Sequence, residues 1–516
     1  MNSQFPTIKK LSRLEKIGQC FHPAAFIHDS PEGIAEIERY ISEFKVGGLT
    51  FFYSRQSVET NFNRKKSIQT QQNSLERLSE KINRYQSLSE TPLLISIDAE
   101  WGLGMRISSH PPFPYPMTLA ATGDADLCYQ VGKAIGQELN AMGIHMNLAP
   151  VVDVNTNPRN PVIGYRSFGS DPGQVAKFAG AYLDGLSSEG ILGCLKHFPG
   201  HGDTHIDSHL ELPVINKELN ALQEEELVPF EALVQQGVDC VMTGHIHIPA
   251  LDSLPASLSS NIISGKLRSD MGFQGVVMTD ALNMKSVFSE ENDGMLEYRA
   301  FSAGNDILSF SQHLPAAIEM INERATEERI DESLERIMAL KSKAGNASGK
   351  VPVPDSYSLR YQVASRAVKS IKQEIEVSEL GISQLVFVNK HPDNSNFTLS
   401  GCTSRMLNDV VDHGVNGSFK KSGHVLIVVF LPSDKPLGGS FGMEEAWLRD
   451  LHLLAREVPA SLCLFGNPYA LELFDLDSFQ SVTLAYQDLP EFETAAANHF
   501  SRADKAIEHT QTRTML

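Results

Sequence analysis

Through the first two thirds of the chain, short and nearly continuous apolar runs alternate with longer stretches of helical periodicity. The runs are Ala24–Ile27, Val46–Tyr53, Leu93–Asp98, Met146–Val151, Ile191–His197, Val238–Thr243, Gln274–Asp280 and Asn305–Phe310. A run that is apolar throughout, without alternation, is the mark of a parallel strand covered on both faces. Helices are predicted between the runs. One begins at Asp124, whose carboxylate suits an N-cap, and stops at Gly143. The next opens at Ser170-Asp171-Pro172, with Pro172 in the first turn, and closes at Gly190. A long helix is predicted near Leu222–Gln236, ending at Gly237, and the charged segment Asn63–Tyr85 reads as a solvated helix. Eight strand–helix units over about 340 residues suggest a (β/α)8 TIM-like barrel, somewhat larger than the ~250 residues typical of that architecture.

The pattern changes near Gly345. The stretch Gly345-Asn-Ala-Ser-Gly-Lys-Val-Pro-Val-Pro-Asp-Ser356 is small, polar and proline-containing, as linkers are. Four more apolar runs follow, Gln384–Val388, His424–Phe430, Ser461–Phe465 and Val482–Tyr486, again separated by helical patterns. They predict a smaller α/β sandwich. The expected organisation is therefore α/β throughout: a barrel domain at 1–344, a linker at 345–358 and a sandwich domain at 359–516.

Charge narrows the partners. The 516 residues carry a formal net charge of −19. A surface that acidic repels phosphate backbones and anionic membranes, so neither nucleic acid nor membrane is expected as a partner. The longest apolar stretch, Val425–Leu431, is far short of the ~20 residues of a membrane span, and no apolar segment follows Lys9 and Lys10 as in a secretory signal. A soluble, cytoplasmic protein is expected. Cys20, Cys128, Cys194, Cys240, Cys402 and Cys463 are widely spaced, which fits reduced thiols and gives no zinc-ribbon or Cys-x-x-Cys motif.

Reactive residues gather at the carboxyl ends of the predicted barrel strands: Asp98, Lys196, His197, His245 and Asp280, with Asp306 inside the last run. Active sites of parallel barrels form on that face, where the loops converge. An Asp at a strand–helix junction is also a common N-cap, but capping needs no Lys196, His197 and His245 in the same layer. The densest segment is Lys196-His-Phe-Pro-Gly-His-Gly-Asp-Thr-His-Ile-Asp-Ser-His-Leu-Glu-Leu-Pro213, whose glycines and proline make it a loop. Two chemistries fit it. His205, Asp207 and His209 alternate, so an extended chain would turn all three to one side as zinc ligands. Alternatively, the Asp207 carboxylate would fix the tautomer of His209, whose other nitrogen could pass a proton to and from a substrate oxygen. His201 and His205 are read as packing the loop or supporting its other residues, since a ring nitrogen readily finds a local hydrogen bond.

These residues resemble glycoside hydrolase family 3, in its bacterial β-N-acetylglucosaminidase branch. The match to Lys-His-Phe-Pro-Gly-His-Gly-Asp-Thr-x-x-Asp-Ser-His-x-x-Leu-Pro runs the full length of Lys196–Pro213. Asp98-Ala-Glu-Trp-Gly-Leu-Gly-Met-Arg106 is similar to the family's sugar-binding Asp-x-Glu-Gly-Gly segment, departing from it where Trp101 stands for the first glycine. Asn157–Phe168, Val241–Ile246 and Gly275–Met284 resemble the segments bearing a sugar-binding arginine, a sixth-strand motif and the nucleophile. The likeness covers nearly all of residues 10–345 and is much looser beyond.

The resemblance implies a retaining mechanism without cofactor or metal. Asp280 would be the nucleophile, and His209, held by Asp207, the acid and then the base. Asp98, Arg106, Arg166, Lys196, His197, His245 and Met284 would contact the sugar. The implied substrate is a carbohydrate ending in β-linked N-acetylglucosamine, such as a peptidoglycan fragment or a chitin oligosaccharide, and the glycosyl-enzyme could pass to water or to phosphate. The rivals are a β-glucosidase or β-xylosidase of the same family, a zinc hydrolase built on His205, Asp207 and His209, and a sugar-binding module without turnover. The zinc reading leaves Asp280 and Arg166 without a role.

Overall fold

A computed structural model describes residues 11–55, 73–205, 211–287, 293–344, 356–373, 380–412 and 423–501. Contacts divide the chain into two compact units: Met1–Ala120 with Asp124–Pro354, and Asp355–Leu516 with Ala121–Gly123.

The strands of the first unit are β1 (Phe21–His22), β2 (Ala24–His28), β3 (Gly48–Ser54), β4 (Leu94–Ile97) and β5 (Met146–Asn147). They continue as β6 (Leu192–Gly193), β7 (Leu195–Phe198), β8 (Cys240–Thr243), β9 (Val276–Thr279) and β10 (Leu308–Ser309). β2 to β6 are neighbours in chain order, and so are β7 to β9. Three links join these runs into a ring. Val151, beyond β5, bridges Lys196 in β7, Ile307 bridges Met278 in β9, and β10 pairs with β1 through Phe21–Leu308 and His22–Ser309. β1 runs into β2 across Pro23, and β6 into β7 across Cys194. All pairings are parallel, so the described residues close an eight-position barrel, with β1/β2 and β6/β7 each counting as one strand.

Local chemistry explains the helices that follow. Asp124 caps Ala125–Met142 by accepting from the amides of Asp126 and Leu127, and Gly143 ends it at φ 82°. Asp171 caps Pro172–Ser188 in the same manner. The single helix expected near Leu222–Gln236 is two, Leu219–Glu224 and Val228–Gln236. Pro229 accounts for the break, since its ring would clash with the carbonyl one turn back and it has no N–H to give. Of the segment read as solvated, Ser74–Leu88 is helical and buries Leu78, Ile82 and Tyr85 on one face, while residues 56–72 lie outside the described residues.

The second unit holds one sheet of β11 (Lys369–Gln373), β12 (Ile382–Val388), β13 (Thr403–Met406), β14 (His424–Phe430), β15 (Ala460–Phe465) and β16 (Ser481–Leu484). Its order is β11-β16-β15-β14-β12-β13, parallel except for β11. β14 and β15 are buried at every position, so both faces are covered, as in an α/β sandwich. The two edge strands β11 and β13 are absent from the sequence expectation. Both are polar and mostly exposed or half-buried, and carry no apolar run to betray them. All six cysteines are unpaired. No helix among the described residues is long and apolar enough to cross a membrane.

Candidate active site

Three strand ends bring opposite charges together. Asp98 follows β4 directly, with Glu100 two residues on. Lys196, within β7, places its buried Nζ 2.7 Å from Asp98 Oδ1 and 2.7 Å from Glu100 Oε1. Arg166, on the loop beyond β5, donates from Nη2 to Glu100 Oε1 at 2.6 Å and from Nε to Oε2 at 3.0 Å, a bidentate clasp. Arg106 donates from Nε to the Asp98 carbonyl at 2.7 Å, and its Nη2 pairs with Asp98 Oδ2. The Arg106 guanidinium also lies over the Phe52 ring, 5.4 Å from its centroid.

Electrostatics keeps Asp98, Glu100, Lys196 and Arg166 charged. Burial acts to raise the Asp98 and Glu100 carboxyls, but Lys196 and the arginines outweigh it and hold both below the ordinary range. Burial acts to lower Lys196 and Arg166, and the two carboxylates more than offset it, raising both. The cluster holds three cations and two anions in fixed geometry, which suits it to hydrogen-bond a ring of hydroxyl groups with little reorganisation.

Beside it, Asp153 and His197 form a buried pair. Asp153 Oδ2 lies 2.8 Å from His197 Nδ1, while Oδ1 accepts from the backbone amides of His197 at 3.0 Å and His201 at 2.8 Å. Burial acts to raise the Asp153 carboxyl; His197 outweighs it and the net effect is a lowering. With Nδ1 facing the carboxylate, Nε2 is the ring nitrogen left for another partner.

Asp280 directly follows β9. Its backbone N–H donates to the Thr243 carbonyl at 3.0 Å, and its Oδ1 accepts from Ala281 N–H at 2.7 Å. His245 is buried beneath this turn, with Nε2 3.1 Å from the Ala281 carbonyl and Nδ1 2.7 Å from Ser257 Oγ. These bonds make it a support for the Asp280 turn. Met284 is buried, its amide donating to the Ala281 carbonyl at 3.1 Å. Asp306 is not at this face. It points outward under the helices, bound by Arg268 at 2.6 Å, Arg336 at 3.1 Å and Ser333 at 2.7 Å. Its carboxylate is consumed in joining helices to the barrel wall, which corrects its grouping with the strand-end residues.

The root of the histidine-rich loop is clamped by the loop beyond β5. Asn160 Nδ2 donates to the carbonyls of His201 at 2.9 Å and Gly202 at 3.0 Å, and Asn157 Nδ2 to that of Thr204 at 2.9 Å. Gly202 is required here, because a Cβ would stand 1.8 Å from the Val154 carbonyl oxygen. His201 Nδ1 meets Thr204 Oγ1 at 2.8 Å, and burial pushes its imidazole down to about 4. His205 Nδ1 lies 3.1 Å from Asn157 Nδ2. Asp207 and His209 lie outside the described residues, so the Asp207–His209 pair and the zinc set with His205 stand as sequence expectations. Among the described residues no three His, Cys, Asp or Glu side chains are grouped to hold a metal.

Glu100 and Asp153 are absent from the expected site residues. Glu100 had a signal, as the third residue of Asp98-Ala-Glu. Asp153 had a weaker one, two positions beyond the fourth apolar run.

Residues 11–340 match the glycosyl hydrolase family 3 N-terminal domain, and the chain belongs to that family. It is 32% identical over 379 residues to β-hexosaminidase A of Pseudoalteromonas piscicida, covering 66% of this chain and 61% of that protein. It is 30% identical over 319 residues to a β-N-acetylglucosaminidase/β-glucosidase of Cellulomonas fimi, covering 57% of each. The chain thus spans less than two thirds of either relative. A family 3 β-N-acetylglucosaminidase from Paenibacillus sp. FPU-7 shares the fold with a TM-score of 0.76 and 29% identity, over 94% of this chain and 96% of that one.

Proposed function

We propose that the chain is a retaining exo-β-N-acetylglucosaminidase that removes terminal β-linked N-acetylglucosamine, with peptidoglycan fragments such as GlcNAc-β-1,4-anhydroMurNAc as its natural substrates. The observation that supports this most is the Asp98–Lys196–Glu100–Arg166 network at the barrel's carboxyl face, where Asp280 also ends its strand. The names of the relatives above supply the sugar class.

In this reading the cluster and His197 hold one pyranose by its hydroxyls. The Asp280 carboxylate attacks C1 as the C1–O bond to the leaving group breaks, and the departing oxygen takes a proton from the His209 imidazolium. Water then attacks C1, its proton returns to His209, and the bond to Asp280 breaks. Histidine replaces the usual second carboxyl, and its ordinary titration range near neutral lets it serve in both steps. Asp207 holds its tautomer. Support from His245 keeps the Asp280 turn in place between the two steps.

The test is turnover of p-nitrophenyl β-GlcNAc and of GlcNAc-β-1,4-anhydroMurNAc, with and without phosphate, beside p-nitrophenyl β-glucoside and β-xyloside. The expected result is preference for the GlcNAc substrates and, with a fluorosugar that traps the intermediate, labelling of Asp280. A preference for glucoside or xyloside, or a label on another residue, would reject the reading. GlcNAc-1-phosphate as product would make the enzyme a phosphorylase. Loss of activity on chelation, restored by zinc, would favour the zinc hydrolase, and binding without turnover the sugar-binding module.

A further inference from the structure

Asp280 is held from two sides by one closed circuit of hydrogen bonds. Its backbone N–H donates to the Thr243 carbonyl at 3.0 Å. The Thr243 hydroxyl donates to Asn305 Oδ1 at 2.9 Å, and Asn305 Nδ2 donates to the Ser257 carbonyl at 2.9 Å. Ser257 Oγ lies 2.7 Å from His245 Nδ1, and His245 Nε2 lies 3.1 Å from the Ala281 carbonyl oxygen. The Ala281 N–H then donates to Asp280 Oδ1 at 2.7 Å. The circuit leaves from the backbone of Asp280 and returns to its carboxylate.

The members come from separate places in the chain. Thr243 ends β8, His245 lies two residues further on, Ser257 sits in the helical turn Ala256–Leu258, and Asn305 precedes β10. Thr243, Ser257 and Asn305 are 0% exposed and His245 is 1% exposed, so these side chains act on a bound sugar only through the groups they hold. Buried polar groups are costly unless each finds a partner, and apolar side chains would seal this junction without that cost. Here the polar groups are paired in series, and the series closes on Asp280.

The series has a direction. A carbonyl oxygen only accepts, so His245 Nε2 carries the proton that faces Ala281. In the neutral ring Nδ1 is then the acceptor, and the Ser257 hydroxyl is its donor. Ala281 carries both ends of the linkage: its carbonyl is held by His245, and its N–H holds Asp280 Oδ1. A shift of Ala281 therefore moves the anchor of the carboxylate, and small misplacements of a reacting group are costly in rate. We propose that Ser257 is a positioning residue for the nucleophile, whose hydroxyl sets the His245 tautomer and so fixes Ala281 and the Asp280 carboxylate for attack on C1. This rests on the glycosidase reading above.

The experiment follows labelling of Asp280 by 5-fluoro-N-acetylglucosaminyl fluoride. The bond from Asp280 to C1 forms as the C1–F bond breaks, and fluoride leaves without a proton. The rate therefore reports the attack and not proton transfer from His209. Ser257→Ala is expected to lower the first-order labelling rate at saturation about tenfold and to leave the half-saturating concentration unchanged. His245→Gln keeps an N–H for the Ala281 carbonyl but gives Ser257 no ring nitrogen, so Ser257→Ala should cost nothing further in that background. An unchanged labelling rate in Ser257→Ala, a change in half-saturating concentration alone, or equal losses in both backgrounds overturns the proposal and leaves the glycosidase reading standing. A wild-type protein that takes no label on Asp280 overturns both. Should Ser257→Ala fail to fold, nitrogen-15 spectra of histidine-labelled wild-type protein decide. The His245 signals are those absent from His245→Gln, and they are expected to show the proton on Nε2 alone; a proton on Nδ1 overturns the proposal.

Discussion

Asp153 and His197 meet at 2.8 Å with both side chains buried, and the second carboxylate oxygen ties down the amides at positions 197 and 201. One residue thus fixes an imidazole tautomer and the root of the histidine-rich loop together. Asp153→Asn keeps an oxygen for the two amides but replaces the acceptor facing Nδ1. If His197 contacts the sugar as proposed, the lost charge-assisted hydrogen bond is expected to lower kcat/KM on p-nitrophenyl β-GlcNAc by about 10–100-fold. The melting temperature should change little. Unchanged kinetics would show that the orientation of His197 is immaterial to turnover.

Glu100 is the hinge of the charge network, because among the described residues it alone binds both Lys196 and Arg166. Glu100→Gln leaves Lys196, Arg166 and Arg106 around the single charge of Asp98. Uncompensated buried charge is expected to cost about 3–5 kcal/mol, read as a lower urea midpoint, with activity lost as well. Arg166→Lys keeps the charge but not the fork, so it should raise KM while costing less stability. A Glu100→Gln protein as stable as wild type would mean that the network is solvated in solution.

Much of this was legible in sequence, and the gaps have physical causes. Apolar strands such as His424–Phe430 and capped helices such as Ala125–Met142 carry their signal locally. Edge strands β11 and β13 do not, because polar residues that face solvent look like loop. Pro229 is visible in the sequence, and the interruption it imposes on the helix was there to be read. Asp98, Lys196 and Arg166 announce themselves by position and motif. The pairing of Asp153 with His197 depends on how two strand ends lie side by side, and the outward turn of Asp306 depends on three helix-borne partners that no local pattern connects to it.

Acid should unfold the barrel through three buried histidines. Burial lowers His22 to about 3, His145 to about 4 and His201 to about 4, from an ordinary 6.5. Below that ordinary value the unfolded chain takes up protons that the folded barrel refuses, so stability is full above pH 6.5 and falls toward pH 4. For His22, whose two ring nitrogens have no hydrogen-bond partner among the described residues, the loss is roughly 2 kcal/mol by pH 5. His22→Leu should flatten that part of the curve, seen as a smaller drop in urea midpoint between pH 7 and pH 5. An undiminished drop would place the acid sensitivity elsewhere.

Lys341 gives the opposite end of the pH scale the same logic. Its Nζ, on the last helix of the barrel, donates to Gln19 Oε1 at 2.7 Å and to the Pro92 carbonyl at 3.0 Å. Among the described residues no carboxylate pairs with it, and burial lowers its amine from 10.5 to about 7. The folded amine gives up its proton more readily than the unfolded one, so its penalty is full below pH 7 and is relieved as pH rises toward 10.5. Lys341→Met removes a desolvation cost on the order of 5 kcal/mol but leaves two oxygens unpaired, for a net gain of about 2 kcal/mol at pH 7. The gain should shrink as pH approaches 10. Denaturant titrations of both proteins at pH 7 and pH 10 measure it, and a Lys341→Met protein less stable than wild type at pH 7 would show that the ammonium's hydrogen bonds outweigh its burial.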